Sequence, residues 1–307
     1  MEKNKISNFL TPDISYLLGL ITGRGEIQYN QYVKKIIIDF EYKTLKSIAI
    51  TKSFDQKLHI QTSLDKIVVR LQNIGINVLK DVSENRVSLA LKWEKEDISW
   101  LFIKYLINGT RFSYHDFQIP EPIFETTNAN KKEFIRGISD VTGYVRASNY
   151  YGFLPDQPKR YRVYIEIAQK NWYLPPQLCQ LLQSVDVPVQ NINYGHPNLR
   201  DPSNKKGNRF WAKEHQIKIF AEDFQKIGFY ISHKEEALTE LAESNKSNFI
   251  DKTPLCDGIM NRQRAKPIHP DERDSELPIN LQGKHFDGYK EICKNLNCYK
   301  QSCIIMK

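Results

Sequence analysis

The sequence is poor in cysteine and has no long apolar run. Only five of its 307 residues are cysteine, and four of these follow residue 255. An odd number at low density is typical of a reduced protein and argues against a disulfide scaffold. No segment approaches the roughly 18 apolar residues of a membrane helix, and the charged start MEKNKISN lacks the apolar stretch of a signal peptide. We therefore expect a cytoplasmic protein with no membrane partner.

Motifs of several enzyme classes are also missing. There is no Walker loop, Rossmann glycine pattern, Gly-x-Ser-x-Gly elbow or His-Glu-x-x-His motif, so nucleotide hydrolysis and common redox chemistry have no support. The 40% hydrophobic and 11% aromatic content excludes a disordered chain. A formal charge of +8 and a pI near 9.0 make a polyanion a plausible partner.

The chain contains an internal repeat. The segment LLGLITGRG starts at Leu17, and IRGISDVTG starts at Ile135, 118 residues later. In both copies a helix is expected to end at the last glycine, followed by a strand pair, a helix, a second strand pair and closing helices. The prolines and small polar residues of 119–130 predict an irregular linker. The expected divisions are a first half (1–118), the linker (119–130), a second half (131–250) and a C-terminal extension (251–307).

Glycines in the two repeat helices predict a close helix contact. Gly19 and Gly23 lie four residues apart on one helical face, and Gly137 occupies the position of Gly19 in the second copy. Glycine inside a helix costs roughly 1 kcal/mol, so its presence favours a close backbone approach. We expect these helices to pack together about a pseudo-twofold axis.

The two nine-residue segments, with this order of elements, resemble the single-chain LAGLIDADG homing endonucleases. The resemblance covers about residues 10–246. It implies an α+β fold of two αββαββα halves, in which the motif helices form the central interface and two curved sheets form a saddle over DNA. It further implies a monomer that binds double-stranded DNA over about two helical turns.

The resemblance fails at the residues that hold metal in that family. The family places an acidic residue just before the last glycine of each motif, where this sequence has Arg24 and Thr142. Cleavage of a phosphodiester assisted by Mg²⁺ needs hard oxygen ligands, and a guanidinium repels a cation. Arg24 could instead hold a phosphate, which favours DNA binding without cleavage.

Two carboxylates remain near these positions. Asp140 and Glu26 are the candidates for a rearranged catalytic and metal site, with Mg²⁺ as its cofactor. The alternative for Asp140 is a hydrogen bond to backbone at the helix terminus, and for Glu26 a solvated position at a strand start. The function hypotheses are thus a sequence-specific DNA-binding protein, a Mg²⁺-dependent DNA endonuclease of homing or restriction type, and an RNA-binding intron maturase.

Alternate residues of the strands should face the DNA groove, with basic side chains suited to phosphate and guanine and amides suited to adenine. Along the first hairpin either Lys34 or its neighbour Lys35 would do so, and Lys34 is the candidate. The predicted DNA-binding set is Arg24, Gln28, Asn30, Lys34, Lys92, Arg146, Lys159, Arg160, Arg162, Lys205, Lys206, Arg209 and Lys213.

The C-terminal extension does not belong to the repeat. Its cysteines and histidines could supply four ligands to a structural zinc ion, because two cysteine pairs have a spacing at the loose end of the usual range. The residues are Cys256, His269, His285, Cys293, Cys298 and Cys303. The alternative is a buried helical face that includes Cys293, since Tyr289, Ile292, Cys293 and Leu296 have a 3, 4, 7 spacing.

Overall fold

The predicted order of helices and strands is present in both halves of the structure. The computed structural model describes residues 9–30, 32–42, 45, 47, 49–94, 97–107, 111–147, 160–168, 171, 173–197, 213–248 and 285–286. The elements of the first half are α1 (Pro12–Arg24), β1 (Gly25–Tyr29), β2 (Lys34–Glu41), α2 (Gln56–Gln72), β3 (Asn77–Val82), β4 (Arg86–Lys92) and α3 (Ile98–Leu106).

The second half follows a short helix, α4 (Glu121–Glu125). Its elements are α5 (Asn128–Thr142), β5 (Gly143–Ala147), β6 (Tyr161–Ala168), α6 (Leu174–Gln183), β7 (Asn191–Pro197), β8 (Lys213–Phe220), α7 (Ala221–Phe224), α8 (Ser232–Asn248) and β9 (His285–Phe286). All the described strand pairs are antiparallel, and helices follow each strand pair along the chain. The expected α+β class is therefore confirmed.

Each half forms one sheet, and the order of strands is the same in both. The first sheet has the order β1-β2-β4-β3 and the second β5-β6-β8-β7, with β9 next to β7. In both sheets the two hairpins of one half meet through their second and fourth strands. One cluster of buried apolar side chains runs continuously from α1 through both sheets to α8. No helix in the described ranges is long and apolar enough to cross a membrane.

The two repeat helices begin and end at residues with a clear physical role. Thr11 and Thr127 cap α1 and α5, since their side chains accept hydrogen bonds from the backbone N–H groups three residues later, each at 3.3 Å. Pro12 occupies the first position of α1, where no hydrogen-bond donor is needed. Both helices end where the chain turns directly into a strand, at Gly25 and Gly143.

Glycines allow α1 and α5 to pack with their backbones in contact. A methyl group on Gly19 would overlap the carbonyl oxygen of Phe134, and one on Gly137 would overlap that of Tyr16. Gly23 faces the side chain of Val141. These glycines therefore lie at the contact between α1 and α5, as expected from the repeat.

Arg70 of α2 links three helices at this contact. Its guanidinium forms ion pairs of 2.7 Å with Asp13 of α1 and with Glu133 of α5, and it stacks 4.3 Å from the ring centroid of Tyr16. Burial acts to lower the pKa of Arg70, but the hydrogen bonds and charges of Glu133 and Asp13 together outweigh it, so the pKa is raised and Arg70 stays charged. The first half is thereby tied to the second through one side chain.

The loop before α2 also joins the two halves. The backbone N–H groups of Ile50 and Thr51 donate to the carboxylate of Glu240 on α8, at 3.2 and 2.8 Å. Further back, Ser47 accepts a hydrogen bond from the backbone N–H of Val145 at 3.3 Å. These contacts between distant positions were not predicted from the sequence.

Three features differ from the sequence prediction. The 3, 4, 7 spacing of Leu64, Ile67, Val68 and Leu71 predicts a helix that starts at Ser63. Helix α2 begins earlier, at Gln56, because the Asp55 side chain caps it by accepting from the N–H of Leu58 at 3.1 Å. The predicted irregular linker contains α4 and the first turn of α5, since Pro122 near the start of α4 is compatible with a helix. Within the extension, β9 pairs with β7.

Candidate nucleic-acid interface

Each sheet has one apolar face and one polar face. In β2 the side chains of Ile36, Ile38 and Phe40 are buried in the core, whereas Lys35 and Asp39 point to the other face. Because residues paired across antiparallel strands share a face, the strand register identifies every member of the polar face. This face of the first sheet lies at the surface of the described structure.

The polar face of the first sheet carries a basic row, which we define as Gln28, Lys35, Lys92 and Asn77. Gln28 pairs with Lys35, Lys35 with Lys92, and Lys92 with Asn77, so one residue of each strand contributes. Neighbouring strands are about 4.8 Å apart, and the row therefore spans roughly 14 Å across the sheet. Lys35 is half-buried and the other three side chains are exposed.

The other end of this face is acidic. Asp39 accepts hydrogen bonds from Arg86 at 3.0 Å and from the Ser88 hydroxyl at 2.7 Å. Asp81 pairs with Ser88, and Glu41 pairs with Arg86. Charge thus changes sign along the strands, and a polyanion would meet least repulsion over the basic row.

Two predicted DNA-facing residues of this hairpin have other positions. Lys34 pairs with Tyr29 and lies two residues before Ile36, so it shares the apolar face of the sheet with the buried isoleucines. Lys35, and not Lys34, is therefore on the polar face. Asn30 lies in the turn, where its side-chain oxygen accepts from the N–H groups of Tyr32 and Val33, both at 2.8 Å. Its carbonyl is therefore used to form the turn.

Arg24 and Glu26 lie at the foot of α1 beside residues 112–114, which precede the linker. The backbone N–H of Ile27 donates to the carbonyl of Phe112 at 2.7 Å, which places this segment along the edge of β1. The Arg24 guanidinium lies 5.1 Å from the ring centroid of Tyr114, and Glu26 accepts from the Ser113 hydroxyl at 2.7 Å. In the second copy the Thr142 hydroxyl donates to a backbone carbonyl of its own helix.

Asp140 is fully buried and surrounded by donors. Its carboxylate accepts from the Tyr16 hydroxyl at 2.8 Å and from the backbone N–H groups of Tyr230 and Ile231 at 3.1 and 3.4 Å. Burial raises the pKa of Asp140 to about 6, although the charge of buried Lys234 and these donors act to lower it. Asp140 therefore has backbone donors, but they lie far away in sequence and not at the terminus of its own helix, and the residue ties α1 and α5 to the start of α8.

The described carboxylates and imidazoles do not gather into a metal centre. Within the described part of the chain, no three His, Cys, Asp or Glu side chains lie together as a metal ion would need. Glu26 and Asp140 have separate partners at the foot of α1 and in the core. A two-carboxylate site would need both to turn away from these partners.

The polar face of the second sheet is buried. Arg146 pairs with Arg162, Tyr164 with Lys218, and Glu166 with Gln216, so these side chains share one face. Arg162 and Lys218 are more than nine-tenths buried. The guanidinium of Arg146 lies 4.5 Å from the ring centroid of Tyr164. The predicted surface position is therefore wrong for Arg162, and Lys218, a further described cation on this face, was not predicted.

Arg160 is held by an acidic partner. Its guanidinium forms a buried ion pair with Glu222 of α7 and stacks 3.6 Å from the ring centroid of Phe220. The side chain is 3% exposed, so the predicted surface position for Arg160 is wrong. Its contacts with Phe220 and Glu222 account for this burial.

Several predicted residues lie outside the described part of the structure. This applies to the side chain of Lys213, whose backbone belongs to β8, and to His285 in β9. It also applies to Lys159, Lys205, Lys206, Arg209, Cys256, His269, Tyr289, Ile292, Cys293, Leu296, Cys298 and Cys303. The zinc site and the helical face in the extension remain predictions.

Comparison with known proteins gives structural matches alone. No protein-family model matches the sequence, and no curated protein matches it. The homing endonuclease I-DmoI is 17% identical, with 71% of this chain and 87% of that chain covered and a TM-score of 0.37. Full-length DUF199/WhiA from Thermotoga maritima is 12% identical, with a TM-score of 0.41. The match covers 79% of this chain and 65% of that chain, so this chain spans somewhat under two thirds of that protein.

A third match is the N-terminal LAGLIDADG domain of DUF199/WhiA, 12% identical, with 76% of this chain and 80% of that chain covered and a TM-score of 0.36. Structures of I-DmoI in complex with DNA contain Mn or Ca. The matched proteins thus include a nuclease and a LAGLIDADG domain.

Proposed function

We propose that this chain is a monomeric, sequence-specific binding protein for double-stranded DNA that lacks conventional LAGLIDADG cleavage. The observation that carries the proposal is the basic row, which places a cation or an amide on each of the four strands of an exposed sheet face. Lysine binds phosphate and guanine, and amides can bind adenine through two hydrogen bonds. A surface of this composition suits a DNA groove.

The absence of the usual carboxylates supports binding without cleavage. Arg24 and Thr142 occupy the two motif positions. Of the two acids nearby, Asp140 is fully buried with three donors, and Glu26 accepts from the Ser113 hydroxyl. A divalent cation would need exposed oxygen ligands beside the scissile phosphate. Arg24 supplies a positive charge at the foot of α1 in place of a metal ion, where it could contact a phosphate.

The test is selection from a randomised duplex library by the full chain, in Mg²⁺ and separately in Mn²⁺, with both retained and cut DNA sequenced. We expect one retained motif spanning about two helical turns and no cut product. Retention of unrelated sequences with equal efficiency would contradict sequence-specific binding. Sedimentation of the chain with the selected duplex should give one chain per site.

The basic row predicts which lysines carry this binding. Lys35→Gln and Lys92→Gln should each lower duplex affinity and reduce the slope of log affinity against log salt by about 1, because each removes one phosphate contact. Lys34→Gln is the matched control, since it removes the same charge one residue away on the opposite face. Equal loss in all three variants would mean that only net charge matters.

Two other outcomes identify the alternative functions. Specific cutting that is lost in Glu26→Gln and kept in Ser113→Ala would establish a nuclease with a rearranged Mg²⁺ site and overturn the proposal. Tight binding to a folded intron, with no duplex retained, would identify an RNA-binding maturase. The dependence of affinity on salt and the lysine variants would be measured in the same way for binding to RNA.

A further inference from the structure

Lys218 is a buried cation on the polar face of the second sheet. Only 7% of its surface is exposed, and its side chain lies 5.6 Å from the ring centroid of Tyr164. Among the described residues no hydrogen bond or ion pair reaches its ammonium group. A buried charge without a partner costs several kcal/mol, so this position is unfavourable for folding by itself.

The charges around Lys218 make its position less favourable still. Arg162 and Arg146 lie on the same face, on the two strands next in order, and both act to lower the pKa of Lys218. Together with burial, which has the largest effect, they lower it to about 7. Three cations therefore converge on one small region of the sheet.

Two described acids lie on this face, Glu166 of β6 and Glu214 of β8. Glu166 accepts hydrogen bonds from the Tyr144 hydroxyl at 2.5 Å and from the Gln216 amide at 2.9 Å. Glu214 is two positions from Gln216 and four from Lys218 along β8. In contrast to Arg160, which has Glu222, Lys218 has no acidic partner among the described residues.

The floor of this region is rigid. Tyr144 and Tyr164 stack with their ring centroids 5.5 Å apart and their planes 6° from parallel. The Arg146 guanidinium lies over both rings, and its Nε has no hydrogen-bond partner in the described structure. A guanidinium held on aromatic rings keeps its N–H groups available at the ring edges, and they fit the oxygens of a tetrahedral anion.

We propose that Lys218, Arg146 and Arg162 form a binding site for a phosphate group. The phosphate would be neutralised by the two guanidiniums and the ammonium, which are placed before it arrives. In nucleic acid it would be a backbone phosphodiester, and this form of the proposal rests on the proposed function. A free phosphate has the same chemistry.

Entry of an anion should bring a proton to Lys218. An anion favours the charged ammonium, so binding takes up a proton when the free protein is near or above pH 7. The affinity for the anion should fall as pH rises from 6 to 9, by up to tenfold per pH unit where the dependence is steepest. The described ionisable groups that share the face are Arg146 on β5, Arg162, Tyr164 and Glu166 on β6, Glu214 on β8, and Tyr144.

The first experiment measures thermal unfolding of the full chain with inorganic sulfate, which does not titrate between pH 6 and 9, and with inorganic phosphate. We expect the unfolding midpoint to rise by about 3 °C or more at pH 6 and by less at pH 9. Lys218→Met, which keeps an apolar stem and removes the charge, should abolish this rise. Lys66→Met is the control: it removes an exposed charge from α2, outside both sheets, and should keep the rise.

Calorimetric titration with sulfate in buffers of different ionisation enthalpy measures the proton uptake directly. An equal rise of the midpoint in wild type and Lys218→Met, or no rise in either, would overturn the proposal. If Lys218→Met also weakens binding to the selected duplex, the phosphate is that of nucleic acid. In the other case sulfate stabilises the chain, but Lys218→Met leaves duplex binding unchanged or the chain binds no duplex. The site is then one for free phosphate, and this proposal holds even though DNA binding at this face does not.

Discussion

Two buried charges in this protein differ in how they are compensated. The Asp140 carboxylate meets a hydroxyl and two backbone N–H groups, whereas the Lys218 ammonium meets two guanidiniums. Donors around a carboxylate make its burial tolerable, and like charges around an ammonium have the opposite effect. The first residue stabilises the contact between helices, and the second is the more informative about function.

The position of Lys218 predicts a pH-dependent stability difference. Its pKa in the folded chain is about 7, below the ordinary value of 10.5, so the destabilisation is complete below pH 7 and is relieved as pH rises toward 10.5. Lys218→Met should therefore be more stable than wild type by about 2–4 kcal/mol at pH 6. This difference should shrink by pH 9.5. Urea unfolding at both pH values, in buffer without phosphate or sulfate, measures it; a difference independent of pH would contradict the assignment.

The alternation of residues in β8 could have revealed Lys218. Ile217 and Ile219 face the core, so Lys218 between them must face the other way. That Lys218 lies beside Arg162 requires the pairing of β6 with β8, two strands separated by 44 residues of chain and fixed by packing alone. The burial of this polar face has no signal in the sequence at all.

At the level of secondary structure, the contact of α1 with α5 depends on glycine. Gly19→Ala should destabilise the fold by about 3 kcal/mol or more, because the added methyl group overlaps the Phe134 carbonyl oxygen and the backbones must separate. Helix propensity alone predicts the opposite, a gain of about 1 kcal/mol. Denaturant unfolding distinguishes the two, with exposed Lys66→Ala on α2 as the control; an unchanged or increased stability would disprove the close contact.

The elements with local stop signals were predicted best. Pro12 and Gly25 predict a helix over residues 12–24, and α1 has these bounds; the strand predicted over residues 77–82 is β3. The start of α2 depends on one side-chain hydrogen bond from Asp55, which a periodicity argument does not detect. In the linker, proline was interpreted as a helix breaker although it stands at a helix start.

For the whole molecule, the contacts between the halves predict a single unfolding transition. The α1–α5 contact, the Arg70 ion pairs and the bonds from residues 50 and 51 to Glu240 all join the first half to the second. Neither half can unfold without exposing apolar surface of the other. In differential scanning calorimetry we expect equal calorimetric and van't Hoff enthalpies. Two resolved transitions would show that the halves are independent.

The contacts between the halves could not be read from the sequence, with one exception. The matched glycines of the repeat identified the helix contact, because two small residues at equal positions indicate a shared surface. The loop contact between Ser47 and Val145 joins positions 98 residues apart and follows no repeat. Such pairs depend on the path of an irregular loop, for which local sequence gives no rule.

The pairing of β9 with β7 has a consequence for how the protein behaves at high concentration. Residues 285 and 286 cover the hydrogen-bonding groups of Ile192 and Asn193 at the outer edge of the second sheet. An uncovered edge strand is a template on which another chain can add. A chain shortened before residue 285 would present this edge to its neighbours, so the extension contributes to keeping copies of the protein apart, whatever else it binds.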